Sequence, residues 1–108
     1  MWNLEEAART VRLIEPLVRA KDYHTCLGGG VLHRGYSAKD IDLFFLPLYS
    51  GKGDPDTIRG IVETTLGAIE PMYDDAMCAD YEANTHPGAK VMGKVDFHGR
   101  RIDVFIHG

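Results

Sequence analysis

The stretch Asp40-Ile41-Asp42-Leu43-Phe44-Phe45-Leu46-Pro47 constrains the fold of this chain more than any other. It is too apolar for an exposed loop and is closed by Pro47, so it suits an inner strand with its polar residues at one end. A strand alternates its faces with period two, which sends Asp40 and Asp42 to the same side, about 6–7 Å apart at Cα. Two like charges on one face of an apolar strand repel one another and are costly to desolvate. Either each acid finds a partner of its own or one divalent cation satisfies both. Hard cations such as Mg²⁺ take oxygen ligands and keep several waters, so two or three aspartates are the expected protein share. The run Arg101-Ile102-Asp103-Val104-Phe105-Ile106 sets a further acid between apolar neighbours. If that strand lies beside the first, Asp103 completes the cluster. The structural alternative pairs Asp103 with Arg100 or Arg101, and Asp96 is the substitute candidate for third acid.

The remaining elements follow from spacing. Apolar residues at Leu4, Ala7, Ala8, Val11, Ile14, Leu17 and Val18 predict a first helix, with Pro16 expected to kink or break it. Tyr23 to Leu27 reads as a strand that stops at Gly28-Gly29-Gly30. Asp54 is a good N-cap with Pro55 at the first helical position, and Ile58, Ile61, Val62, Leu66 and Ile69 continue at helical spacing until Pro71 ends the run. Ala76 to Glu82 looks strand-like and Asn84 to Gly88 turn-rich. Val91 to Phe97 and Arg101 to Ile106 form a terminal hairpin around His98-Gly99. Trp2, Phe44, Phe45, Phe97 and Phe105 are expected in the core or at an interface.

At 108 residues the chain is the size of one domain, read as 1–108. With 44% hydrophobic and 26% charged residues it has the composition of an ordinary globular protein. A net charge of −4 argues against coating nucleic acid by bulk charge, which needs a clustered basic surface. No stretch approaches the roughly 20 apolar residues that span a bilayer. Cys26 and Cys78 sit in apolar stretches and are expected as free thiols in a cytoplasmic protein. His24, His86, His98 and His107 show no metal-ligand spacing with either cysteine, which argues against zinc.

The order of parts adds a family likeness. Leu27-Gly28-Gly29, a ten-residue spacer and then Asp40-Ile41-Asp42-Leu43 resembles the signature of the DNA polymerase beta-like nucleotidyltransferase superfamily, in its minimal nucleotidyltransferase type. The spacer Gly30 to Lys39 resembles the corresponding loop, although Lys39 stands where that group often has Ser. The resemblance covers nearly the whole chain. It implies an α+β fold, a mixed sheet of about four to five strands with two main helices on one side. It also implies a nucleotidyl transfer from a nucleoside triphosphate to an RNA, protein or small-molecule acceptor, with release of pyrophosphate. Asp40, Asp42 and Asp103 would hold Mg²⁺ or Mn²⁺, as two ions, with Asp103 as base. The Gly28-Gly29 turn would lie next to the triphosphate, where glycine amides approach phosphate closely. Read from the residues themselves, Gly28, Gly29 and Gly30 are a phosphate cradle or a plain tight turn, His33, Arg34 and Lys39 are counter-charges for a triphosphate or a solvated loop, and Ser37 bonds a phosphate or caps the turn. The chain departs from larger members in ending soon after the Asp103 strand, so either a homo-oligomer or a partner protein would supply the missing walls, or the acceptor itself would, or the site is a reduced one. A non-catalytic, antitoxin-like nucleotide or nucleic-acid binder is the alternative from another class. A metal-dependent phosphodiesterase would use the same acids without needing the glycine turn.

Overall fold

A computed structural model of the chain describes residues 2–29, 34–37, 40–49, 51–71 and 88–108. The expected strand over Ala76 to Glu82, the loop over Asn84 to Gly88 for all but its last residue, and Cys78 lie outside them. A short strand β1 (Trp2–Asn3) leads into helix α1 (Leu4–Arg19), whose start is set by a capping box. The Asn3 side chain accepts from the Glu6 N–H at 2.8 Å, and Glu6 Oε1 accepts from the Asn3 N–H at 3.3 Å. Of the kink or break expected at Pro16, the break does not occur, since the helix runs through it to Arg19. Pro16 lies within the last turn, so its missing N–H costs one bond near an end that frays in any case, and its own carbonyl still accepts from Ala20.

After α1 come β2 (Tyr23–Gly28), β3 (Tyr36–Ser37), β4 (Asp40–Pro47) and helix α2 (Pro55–Thr65). They are followed by β5 (Glu70–Pro71), β6 (Ala89–Phe97) and β7 (Arg100–His107). Asp54 caps α2 as expected, its Oδ1 accepting from the Thr57 N–H at 3.2 Å. The helix ends at Thr65, earlier than the apolar spacing implies. Gly67 takes a φ of 142°, which an L side chain rarely adopts, and turns the chain so that Ile69 reaches the core from beyond the helix end. Pro71 then sits in the edge strand β5, where no ladder hydrogen bond is demanded of it on the outer side.

The main sheet is mixed and five-stranded, in the order β2-β4-β7-β6-β5. All its pairs are antiparallel except β4 with β7, which run parallel through the centre. Period two therefore sorts each strand. Ile41, Leu43 and Phe45 of β4, Ile102, Val104 and Ile106 of β7 and Val95 of β6 bury against Ala7, Ile14 and Val18 of α1 and Ile58 and Val62 of α2. Full burial of such side chains is worth about 1.5–3 kcal/mol each, and they fill a single helix-on-sheet layer. The α+β class with a mixed sheet and two helices on one face is the architecture the sequence implies. The alternate residues of the same strands face the side the helices leave open, and the acids are among them.

A second, two-stranded sheet pairs β1 with β3, Trp2 opposite Ser37 and Asn3 opposite Tyr36. Trp2 is fully buried; its indole N–H donates to the Arg101 carbonyl at 3.0 Å, and the Arg100 guanidinium lies 3.9 Å from its ring centroid. Glu6 closes this corner by pairing with Arg100 at 2.6 Å. The start of α1, the segment just before β4 and the first residues of β7 are thereby tied together beside the acids.

Candidate metal centre

Parallel pairing aligns the polar ends of the two central strands. Asp40 lies opposite Arg101 and Asp42 opposite Asp103, so all four side chains share the open face of the sheet. One carboxylate oxygen from each of Asp40, Asp42 and Asp103 falls within 4.8 Å of the others. Asp103 is 8% exposed, and Asp40 and Asp42 are half-buried. Such crowding disfavours the charged form. Burial pushes the Asp42 carboxyl up to about 6 from an ordinary 3.8, with Asp103 and Asp40 adding to the rise and Arg101 opposing it. Asp103 is also raised, by burial first, with the Asp40 charge adding and the hydrogen bond from Arg101 pulling the other way.

Arg101 is the counter-charge of this cluster. Its Nε donates to Asp103 Oδ1 at 2.6 Å and stands 4.0 Å from Asp40 Oδ2. The ion pair weighed from the sequence as the structural alternative is therefore present together with the triad. Asp96 lies opposite Arg101 on β6, exposed and outside the triad.

The glycine turn abuts the acids. Gly28 is the register partner of Asp42, and at Gly29, with φ 74°, a Cβ would overlap the Asp42 carboxylate. Only glycine combines that backbone with that approach. Gly30, His33 and Lys39 lie outside the described residues. Ser37 belongs to β3, and Arg34 is exposed with its guanidinium 5.7 Å from the Tyr36 ring centroid. Further along the same face Phe44 and Phe105 stack at 4.9 Å with rings 14° apart, each two residues beyond an acid of the triad. Cys26, a free thiol, sits on this face with its Sγ 3.8 Å from His24 Nδ1.

One cation escaped the sequence reading. Lys94 is the register partner of Asp103 on β6, so its side chain leaves the sheet on the acid-bearing face. A signal existed, because a two-residue turn at His98-Gly99 pairs Phe97 with Arg100 and, counting back, Lys94 with Asp103. A cavity of about 360 Å³ lined by Glu70, Lys94, Asp96, Gly99 and Arg101 adjoins the site.

Three carboxylates that converge on one point form a donor set for a hard divalent cation, and their oxygen chemistry fits Mg²⁺ or Mn²⁺. Among the described residues no other group of three or more His, Cys, Asp or Glu converges in this way, and no helix is long and apolar enough to cross a membrane. Set against protein-family models, curated proteins and solved structures, the chain matches none of them.

Proposed function

We propose that the chain is a minimal nucleotidyltransferase in which Asp40, Asp42 and Asp103 hold Mg²⁺ or Mn²⁺ beside a triphosphate seated on the Gly28-Gly29 turn. The observation that carries this reading is the meeting of all three acids on one face, across a parallel strand pair, with the glycine turn in register against Asp42. When bound, the cations supply positive charge to the phosphates and to the departing pyrophosphate. Asp40 and Asp42 serve as their rigid ligands, fixed by a central strand whose other face is locked into the core. Backbone N–H groups of the glycine turn, with Gly30, Arg34, Ser37 and Lys39, bind the phosphate oxygens. Asp103 accepts the proton of the acceptor hydroxyl as its oxygen forms a bond to the α-phosphorus and the bond to pyrophosphate breaks.

The ion pair of Arg101 with Asp103 favours the second reading, a nucleotide- or nucleic-acid-binding module of antitoxin type, because it satisfies one acid without any ligand. One experiment separates the two. The protein is incubated with each labelled nucleoside triphosphate, Mg²⁺ or Mn²⁺, and a mixed pool of RNA, DNA and protein acceptors. Label transferred by wild type and lost in Asp42→Asn supports the transferase. Triphosphate or nucleic-acid binding with no transfer under any of these conditions supports the binding module.

A further inference from the structure

We infer that Arg101 is the exchangeable cation of the acidic site: it neutralises Asp103 in the metal-free protein and is displaced when a divalent cation loads. The inference rests on the metal-centre reading above and concerns how that centre is filled. Arg101 and Asp103 are two apart on β7, so both leave the sheet on the same face, and the side chain lies along its own strand to reach the carboxylate. Its Nε takes Asp103 Oδ1 at 2.6 Å and approaches Asp40 Oδ2 at 4.0 Å, two of the three carboxylates that converge within 4.8 Å. A carboxylate oxygen that accepts a charged N–H this closely has lost much of its donor strength toward a metal, and two cations cannot occupy one small anionic cleft at low cost.

The geometry allows the exchange. The Arg101 side chain is 46% exposed while that of Asp103 is 12% exposed, so the guanidinium can swing into water and the acid cannot. Its backbone stays fixed, because the Arg101 carbonyl accepts from the buried Trp2 indole and the strand is paired on both sides. The released guanidinium remains tethered at the rim of the site, where its planar donor fork suits phosphate oxygens. Arg101 is thus a positioning residue with two stations, one for each state of the cluster. Lys94, also on this face and opposite Asp103, has no ion pair or hydrogen bond among the described residues and remains a positive neighbour in both states.

Two measurements on the whole chain test the exchange. Calorimetric titration with Mn²⁺ compares wild type, Arg101→Gln and Lys94→Gln, each at a temperature well below its own cooperative melting transition. Removing the competitor should tighten Mn²⁺ binding roughly tenfold or more in Arg101→Gln, against a few-fold at most in Lys94→Gln, which alters charge without vacating Asp103. In ¹⁵N-edited spectra at low temperature, the Arg101 Nε–H should give a protected resonance in the metal-free protein. It should move to the solvent-exposed position on saturation with diamagnetic Mg²⁺. Equal Mn²⁺ affinity in wild type and Arg101→Gln, or an Arg101 resonance that persists at saturating Mg²⁺, overturns the exchange and leaves the metal centre standing. Absence of divalent binding in all three proteins overturns both.

Discussion

Replacing Asp42 by Asn in the metal-free protein should stabilise it above neutral pH. The side chain keeps its size and loses the charge that burial, Asp103 and Asp40 together disfavour. The climb of the Asp42 midpoint from 3.8 to about 6 corresponds to about 3 kcal/mol at roughly 1.4 kcal/mol per pH unit. Because the group is only half-buried, solvent screening brings the usable figure to about 1–2 kcal/mol. The sign follows from linkage. A carboxyl raised in the fold binds its proton more tightly there than in the unfolded chain, so its contribution is greatest below the unfolded value near 3.8. It falls away between about pH 4 and pH 6 and stays lost above. Asp42→Asn should therefore melt roughly 4–16 °C higher than wild type at pH 8 in EDTA, at about 4–8 °C per kcal/mol for a chain of this size. The gap should close toward pH 4. Saturating Mg²⁺ or Mn²⁺ should reverse the order, because the cation stabilises the intact site in proportion to its binding and the variant has lost a ligand. Thermal scans across pH 4–8, with and without divalent cation, read all of this at once. A large drop in melting temperature for Asp42→Asn at pH 8 in EDTA would show that its carboxylate is a structural element, and equal stabilisation of both proteins by the cation would remove Asp42 from the centre.

Three further outcomes are expected. Gly29→Ala should lose about 1–2 kcal/mol for its left-handed backbone, seen in urea unfolding, and should weaken Mn²⁺ binding because the new methyl displaces the Asp42 carboxylate. Asp103→Ala should hold triphosphate within a few-fold of wild type while transfer falls by roughly 10²-fold or more; binding and transfer measured on one preparation decide this, and unchanged turnover would refute the three-acid site. Trp2→Phe should cost about 1–3 kcal/mol in urea unfolding, from the indole hydrogen bond to Arg101 and the stacked Arg100 guanidinium; a change under 0.5 kcal/mol would mean that the corner is held by β1 pairing alone.

Local signals in the chain were readable because each has a local cause. The acidic strand follows from alternation and an apolar run, the start of α2 from Asp54 and Pro55, and the terminal hairpin from His98-Gly99, both of which take positive φ. The three acids were legible as candidates for the same reason. What brings them together is the parallel alignment of β4 with β7, and no residue in either strand announces its distant partner; register had to be posed as a condition. The end of α2 is hidden from spacing because Ile69 is buried, as its position implies, while the backbone has left the helix two residues earlier, at Gly67. Periodicity reports which residues reach the core and is blind to the conformation that carries them there. Pro16 misled in the opposite direction, a strong local signal overridden where a helix is already ending. Lys94 was passed over because a lysine beside a hairpin is ordinary until the turn length converts into a cross-strand neighbour.

The last of the described strands, β7, lies at the middle of the sheet, between β4 and β6. During synthesis β2, β4 and both helices emerge with the slot for β7 empty, and their apolar faces have no central strand to close on until the ribosome has released residues 100–107. The contacts that complete the sheet span most of the chain, a topology whose closure is slow and whose waiting state exposes a strand edge. The same insertion delivers Asp103 and Arg101 in one movement. A nascent or clipped chain lacking β7 carries Asp40 and Asp42 without their third acid, so the acidic cluster and the central strand pair form in the same event.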